Sequence, residues 1–390
     1  MRYIGSKSRL LGFIGRIIDE NTSRVETACD IFAGTAAVAR MFKRKGFTVI
    51  SNDVMEYSLA LQVALVEACS YPRFDALYEC ELAETRAELA ALSGGRVAGE
   101  ASRLAGVISF LNSGEHRLRG FFWNHFSKDG VEPPPDRPPG RMQPEAERMF
   151  FTSDNAERID GVRTLLERWR GAGLVTRQEF FILLASLIDA ADAAANTTGV
   201  YGAYLKEFGD RQEHVLSLRM PEITVQSPAK PHKCYRLDAL ECARREKFDL
   251  LYMDPPYNRR DYAANYHVPE LIARGWFDWT PTLSGKTGMV AEFTELRSDF
   301  CIKDRCAGAL EELVETAVRD SGVRYILMSY NSEGLIPDGE IERIFRAFGK
   351  PDTYKRFEKD YKRYRSDGDS KSRKYSSDRV REFLYFVEAN

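Results

Sequence analysis

The chain is poor in the residues that usually mark a metal or disulfide site. Its five histidines, His116, His125, His214, His232 and His267, are scattered, and its seven cysteines (Cys29, Cys69, Cys80, Cys234, Cys242, Cys301 and Cys306) include no Cys-x-x-Cys pair. Those absences exclude a recognisable zinc spacing and a disulfide framework. They leave reduced, mostly buried thiols, so the protein is expected to be cytoplasmic and to hold no metal. No run approaches the roughly 18 apolar residues that a membrane span needs. The opening Met1-Arg2-Tyr3-Ile4-Gly5-Ser6-Lys7 is basic but has no apolar stretch of a secretory signal, and no membrane association is expected. Gly5-Ser6-Lys7-Ser8 lacks the upstream glycine of a phosphate loop, which excludes a P-loop enzyme. Internal repeats are missing too. The formal net charge of −2 gives no general bias toward nucleic acid.

What is present is an interrupted α/β pattern. Leu10, Leu11, Ile14, Ile17 and Ile18 share one face of a predicted helix over 7–20. Residues 25–31 read as a strand, 36–45 as a helix, and 48–51 as a second strand ending in Asn52-Asp53. This order opens a doubly wound sheet. From about 56 to 110 the chain turns helical and acidic. At 128–146, Pro133-Pro134-Pro135, Pro138-Pro139-Gly140 and Pro144 forbid helix or interior strand, so an exposed loop is expected. Helical periodicity resumes at 155–170 and 177–195. Strand character returns at 233–237, 248–253 and 323–329, then as a pair near 353–364 and 380–387. Two independent domains in series would strand half a sheet behind the helices. The expected fold class is therefore α/β, with a Rossmann-like sheet domain built from 1–69 and 229–390 and a mostly helical insertion at 70–228.

Asp254-Pro255-Pro256-Tyr257 follows the apolar run 248–253 and so falls at the carboxyl end of a predicted parallel strand, where such sheets place their ligands. The chemistry suits an exocyclic ring amine such as adenine N6, a poor nucleophile whose lone pair is delocalised. A carboxylate at Asp254 and a backbone carbonyl at Pro255 can accept its two hydrogens and free that pair. Two prolines fix φ and hold the acceptors rigid. Tyr257 can stack on a base swung out of a duplex. Upstream, Asp30-Ile31-Phe32-Ala33-Gly34-Thr35 ends the first strand with small residues that admit a nucleotide-like ligand, or that simply make a tight turn. Asp53 ends the next strand about 20 residues on, the usual place for a ribose-binding acid. Asp238 suits either a cofactor's adenine amine or a helix cap.

Together these residues resemble the alpha group of DNA adenine-N6 methyltransferases, the class of the Dam-type enzymes. Tyr3-Ile4-Gly5-Ser6-Lys7 is similar to that family's N-terminal motif, whose lysine faces the methionine carboxylate of S-adenosylmethionine. Phe32-Ala33-Gly34-Thr35 resembles the cofactor loop, Asp53 the ribose acid and Asp254–Tyr257 the catalytic loop. Residues 149–152, Asn155-Ala156, 196–201, Asn265-Tyr266-His267, 329–334 and 361–365 resemble a subgroup allied to the modification enzymes of type II restriction systems. The resemblance implies an S-adenosylmethionine-dependent methyltransferase sheet and duplex DNA as partner, and it leaves open whether a separately encoded restriction endonuclease accompanies the chain. One departure stands out: Ala36 occupies a position where a second glycine is common.

Candidate DNA contacts complete the reading. Arg117, Arg119, Trp123, Asn124 and His125 combine groups that read guanine and adenine edges with an aromatic able to wedge or stack, so the insertion is the expected target-recognition domain. Lys362, Arg363 and Arg365 lie in a basic stripe interleaved with tyrosines, either a phosphate-contacting surface or a solvated hairpin. His267 suits a DNA contact or a packed core position. Competing substrates are cytosine N4, an RNA base or a protein glutamine. A nucleic-acid-binding module with a dead cofactor site is the competing class, and intact Lys7, Asp53, Asp254 and Tyr257 argue against it.

Overall fold

The computed structural model describes residues 1–82, 99–130, 148–209, 214–362 and 379–390. The chain divides into two compact units. One holds residues 1–3, 63–226 and 263–295; the other holds 4–62, 227–262 and 296–390.

The second unit contains the whole of a seven-stranded sheet. Its strands are β1 (Thr27–Asp30), β2 (Thr48–Asn52), β3 (Lys233–Tyr235), β4 (Leu250–Met253), β7 (Tyr325–Asn331), β8 (Lys355–Lys362) and β9 (Arg379–Glu388). The order is β3-β2-β1-β4-β7-β9-β8. The first five are parallel; β9 runs antiparallel to β7, and β8 antiparallel to β9. β4 is buried at every residue and β7 at all but its last, the continuous apolar signature of a parallel strand covered on both faces. From β1 the chain first builds outward to β2 and β3, then returns to lay β4 on the other side of β1. That reversal makes the β1–β4 junction a topological switch point, with a crevice beyond the carboxyl ends of the two strands.

The predicted helix at 7–20 is observed as a 3-10 turn, Lys7–Arg9, followed by an α-helix, Leu11–Asn21. The split reflects a tertiary demand: the Lys7 side chain is buried and held by carboxylates, while Phe13, Ile14, Ile17 and Ile18 bury the helix face.

The first unit is helical, with a short hairpin of β5 (Leu283–Ser284) and β6 (Met289–Val290). Its longest helices are Ser153–Gly171, capped by the Thr152 hydroxyl, and Arg177–Ala194, opened by a capping box of Thr176 and Glu179. The five residues between them force an antiparallel pair, which buries Trp169, Leu166, Ile159, Leu183 and Leu187. Residues 263–295, expected from the sequence to belong with the sheet, are part of this unit instead. The helix His267–Arg274 explains it: seven of its eight residues are buried, and Arg163 donates to the carbonyls of Ile272 and Ala273. Of the proline-rich stretch 128–146, residues 131–146 lie outside the described residues. Among the described residues, no helix is long and apolar enough to cross a membrane.

Candidate active site

Two loops leave the sheet at the switch point. The turn after β1 runs Ile31 to Ala36, with Gly34 at φ +53° and Ala36 at φ +59°, both left-handed. Asp53, just past β2, organises it by accepting the Gly34 amide at 2.8 Å and the Met55 amide at 3.0 Å. Burial raises the Asp53 pKa, and those amides oppose the shift. At the end of β1, Asp30 is buried and takes the Ala39 amide on Oδ2, while its Oδ1 has no hydrogen-bond partner. Burial first, then the charge of Asp254, holds the Asp30 carboxyl well above the usual range. Phe32 packs edge-on against Phe300 with ring centroids 5.3 Å apart. Asp238 is exposed and caps the helix Ala239–Arg245 through the Leu240 amide, one of its two sequence readings.

The second loop, Asp254-Pro255-Pro256-Tyr257, leaves β4 directly. Asp254 Oδ1 accepts the ammonium of Lys7 at 2.9 Å. Lys7 is 6% exposed, and its Nζ also meets Glu382 Oε1 at 2.8 Å. Burial pulls the Lys7 pKa down, but Asp254 and Glu382 outweigh it and raise it well above the ordinary lysine value. The Asp254 carboxyl is pushed up to about 6: burial raises it, Lys7 opposes, and the charge of Glu382 adds. The carbonyl of Tyr257 accepts the Leu335 amide, which ties the loop to the stretch after β7. Gly5, at φ +81°, brings the N-terminal backbone to the Tyr257 ring, where a Cβ would sit 3.8 Å away.

The sequence missed Glu382 and Ser329. Ser329 in β7 donates to Glu382 Oε1 at 2.7 Å, so one oxygen holds both the hydroxyl and the ammonium. The available signal was an acid directly ahead of the apolar run Phe383 to Val387, which is buried. The resemblance implied that Lys7 faces a cofactor carboxylate. In the structure two of the three ammonium donors go to protein carboxylates instead.

The expected DNA contacts fare unevenly. Arg119 lies over the Trp123 ring, 4.8 Å from its centroid, and pairs with Glu157 at 2.8 Å; Arg117 pairs with Asp154 at 3.2 Å. Asn124 and His125 are half-buried, with the His125 ring against Phe121. Trp123 itself is buried, so its ring fills a core position and is not presented as a wedge. Tyr266 also requires correction, and His267 takes the packed core position, one of its two readings. Both are fully buried; Tyr266 stacks on Tyr3 at 4.8 Å, and the His267 nitrogens face the carbonyls of Ala264 and Thr287. Tyr3, expected at the cofactor, is thus engaged within the first unit. Asn265 remains half-buried. Lys362 ends β8 opposite Arg379, and Arg363 and Arg365 lie outside the described residues. Upstream in β8, Lys355 donates to Asn21, Lys359 sits over Phe13, and Arg356 pairs with Asp338, so these basic residues hold the strand in place. Other motifs act as joints: the Asn196 side chain donates to the carbonyls of Met149 and Leu205, and Asn155 bridges to His214 and Leu216.

A doubly wound sheet with an acid-Pro-Pro-aromatic loop beside its switch point defines a class of methyltransferases that act on exocyclic amines. More particularly, the chain belongs to the D12 class of N6 adenine-specific DNA methyltransferases, whose family model matches residues 3–91 and 115–282. Over its whole length it is 34% identical to the type II methyltransferase M.FokI of Planomicrobium okeanokoites, of which it covers 52%. It is 30% identical to the modification methylase StsI of Streptococcus sanguinis, again covering 52% of that protein. It is also 30% identical to the type II methyltransferase M.NlaIII of Neisseria lactamica, of which it covers 99%. The chain thus spans about half the length of the first two relatives and nearly all of the third.

Proposed function

We propose that the chain transfers a methyl group from S-adenosylmethionine to adenine N6 within a specific duplex DNA sequence, as the modification partner of a separately encoded restriction endonuclease. The observation that carries this reading is the position of Asp254-Pro255-Pro256-Tyr257 directly beyond β4, at the switch between β1 and β4. Asp254 is 20% exposed on its side chain, and Lys7 meets its Oδ1 at 2.9 Å. We assign the other oxygen to one amine hydrogen and the Pro255 carbonyl to the second. Drawing on both hydrogens shifts the nitrogen toward tetrahedral geometry, and the effect grows as positive charge develops on it. Tyr257 supplies a face for the flipped base.

The β1 turn fits the cofactor. Asp53 lies half-exposed where a ribose would need an acceptor, Gly34 admits close backbone approach, and the unpartnered, buried Asp30 Oδ1 awaits a donor. When bound, S-adenosylmethionine supplies an electrophilic methyl group. Phe32, Ala33 and Thr35 belong to the same turn, and we assign them with Asp238, which follows β3, to the cofactor. Lys7 serves Asp254 first, with a single donor left for a cofactor carboxylate. We assign target reading to residues 70–228, through Arg117, Arg119, Asn124 and His125 with Asn265, and phosphate contact to Lys362, Arg363 and Arg365.

Expression in a host without adenine methylation, followed by sequencing that detects N6-methyladenine, tests the assignment. A single sequence context modified on adenine supports it. Methylation confined to cytosine N4, or binding of S-adenosylmethionine without transfer to DNA, overturns it.

A further inference from the structure

Glu382 belongs to none of the motifs that pointed to the site, and it lies beyond the residues matched by the family model. It sits in β9 opposite Asn331 of β7 and is 4% exposed. Burying a carboxylate beside a second one is costly, and an apolar residue of similar volume is often neutral or better for stability. Packing alone therefore does not explain a glutamate here. Its geometry does: Oε1 accepts the Ser329 hydroxyl at 2.7 Å and the Lys7 ammonium at 2.8 Å, and the same ammonium reaches Asp254 at 2.9 Å.

We propose that Glu382 is a positioning residue for the methyl transfer: it anchors the Lys7 ammonium so that Lys7 grips Asp254 by one oxygen and leaves the other to the target amine. The proposal rests on the reading of Asp254 as the amine acceptor. A lysine paired with Asp254 alone would be free to swing across both oxygens and would draw down the carboxylate's strength as an acceptor. A second carboxylate divides the ammonium's charge and fixes its direction, while Ser329 fixes the second carboxylate. The charged and titratable groups around Asp254 come from five places. Lys7 belongs to the N-terminal 3-10 turn, Glu382 to β9, Tyr252 to β4, Asp30 to the end of β1, and Tyr257 to the loop itself. Among them Glu382 raises the proton affinity of Asp254 and Lys7 lowers it.

Glu382→Gln keeps the volume and an oxygen for Ser329 and Lys7 but removes the charge. The expected result is a fall in kcat of about tenfold with KM for cofactor and DNA within about twofold, the mark of an interaction used in the transition state. The acid limb of kcat should move to lower pH by about one unit, because a like charge beside Asp254 has gone. Glu382→Asp, which keeps the charge, should restore the limb. Wild-type turnover and limb in Glu382→Gln, or a loss uniform across pH, overturns the proposal. A second measurement does not depend on turnover: 13C-carboxyl-labelled aspartate, with the Asp254 signal assigned by its loss in Asp254→Asn. That signal should titrate at lower pH in Glu382→Gln than in wild type, and an unchanged titration overturns the proposal. The shift in Glu382→Gln, together with a wild-type protein that makes no N6-methyladenine, upholds the coupling of Glu382, Lys7 and Asp254 and overturns the proposed function instead.

Discussion

Two buried charges, one in each unit, are held in opposite ways. In the sheet unit, Lys7 meets two carboxylates, so charge is satisfied by charge. In the helical unit, Asp160 is fully buried and accepts the amides of Gly120, Phe122 and Trp123 at 2.8–3.1 Å. Arg163, equally buried, donates to the carbonyls of Ile272 and Ala273 and pairs with Glu167. The difference lies in what each arrangement can release. A fully buried carboxylate held by three main-chain amides, as Asp160 is, cannot change partners without undoing a turn, so it is scaffold. A carboxylate held by an ammonium can be shared with an incoming polar group at little structural cost, which is what a site requires.

The sharpest test of that contrast is Asp254→Ala. It should lower kcat by at least about 10²–10³-fold, the loss typical when one preorganised polar group leaves a transition state, with DNA and cofactor binding nearly unchanged. In the wild type, a carboxyl pushed up to about 6 accepts a hydrogen bond only when ionised, so kcat should fall as pH drops below about 6. Stopped-turnover assays with tritiated cofactor across pH 5–8 read both. Full activity in the variant would remove Asp254 from the chemistry.

Lys7→Met comes next. It strands two acids in a buried setting, and breaking such a set by removing one partner costs about 3–5 kcal/mol. The sign with pH follows from the acids left behind. Without the ammonium the pKa of Asp254 rises further, so the variant pays most at high pH, where that acid must ionise, and recovers as pH falls and it protonates. Urea midpoints at pH 5 and pH 8 check this; a deficit independent of pH would mean that Lys7 contributes packing and not charge.

Much of this was legible in the sequence, and the limits have physical causes. Asp254-Pro255-Pro256-Tyr257 and Asp53 were found because a strand-end acid is a local pattern: apolar run, turn residue, acid. The sheet followed because its parallel strands are continuous apolar runs. Glu382 was invisible because its meaning depends on Lys7 at the other end of the chain and on a β9–β7 register that no local pattern encodes. Trp123 and Tyr266 misled for the converse reason. They are side chains that can read bases, and their chemistry is visible in a sequence while their burial is not. Ala36 was noted only as a missing glycine; its left-handed φ was needed to show why glycine suits the position.

In the helical unit, Asp160 tests the scaffold half of the contrast. Its carboxyl is pushed up to about 7 by burial, against the opposing pull of the Phe122, Trp123 and Gly120 amides. An acid whose folded pKa lies above its unfolded value binds more protons when folded, so its contribution to stability falls as pH rises between the two. Asp160→Asn removes that titration. The variant should therefore gain on the wild type between pH 5 and pH 8, by about 2–3 kcal/mol at 1.36 kcal/mol per unit. Paired urea melts give the number directly. A constant difference would mean that Asp160 titrates in the ordinary carboxylate range and that its amide contacts dominate its burial.

The smallest effect is expected at Ala36, in the turn beside the chemistry, and its smallness is the point. A left-handed backbone costs a residue with a Cβ about 1–2 kcal/mol, which glycine would recover. Against this, Ala36 is fully buried. Glycine would give up one methyl group, worth about 0.8 kcal/mol, and would add about 0.4–1 kcal/mol of disorder to the unfolded chain. The opposing contributions nearly cancel, so Ala36→Gly should change stability by no more than about 0.5 kcal/mol. Three residues on, Ala39 is just as buried but sits in the right-handed turn of the helix Ala37–Arg44. There the methyl and the helix preference act together with no strain to relieve, and Ala39→Gly should cost about 1.5–2 kcal/mol. Denaturant melts of the two variants side by side decide it. Equal losses would mean that the Ala36 backbone carries no strain, and a loss only at Ala39 would explain how alanine persists where glycine is common.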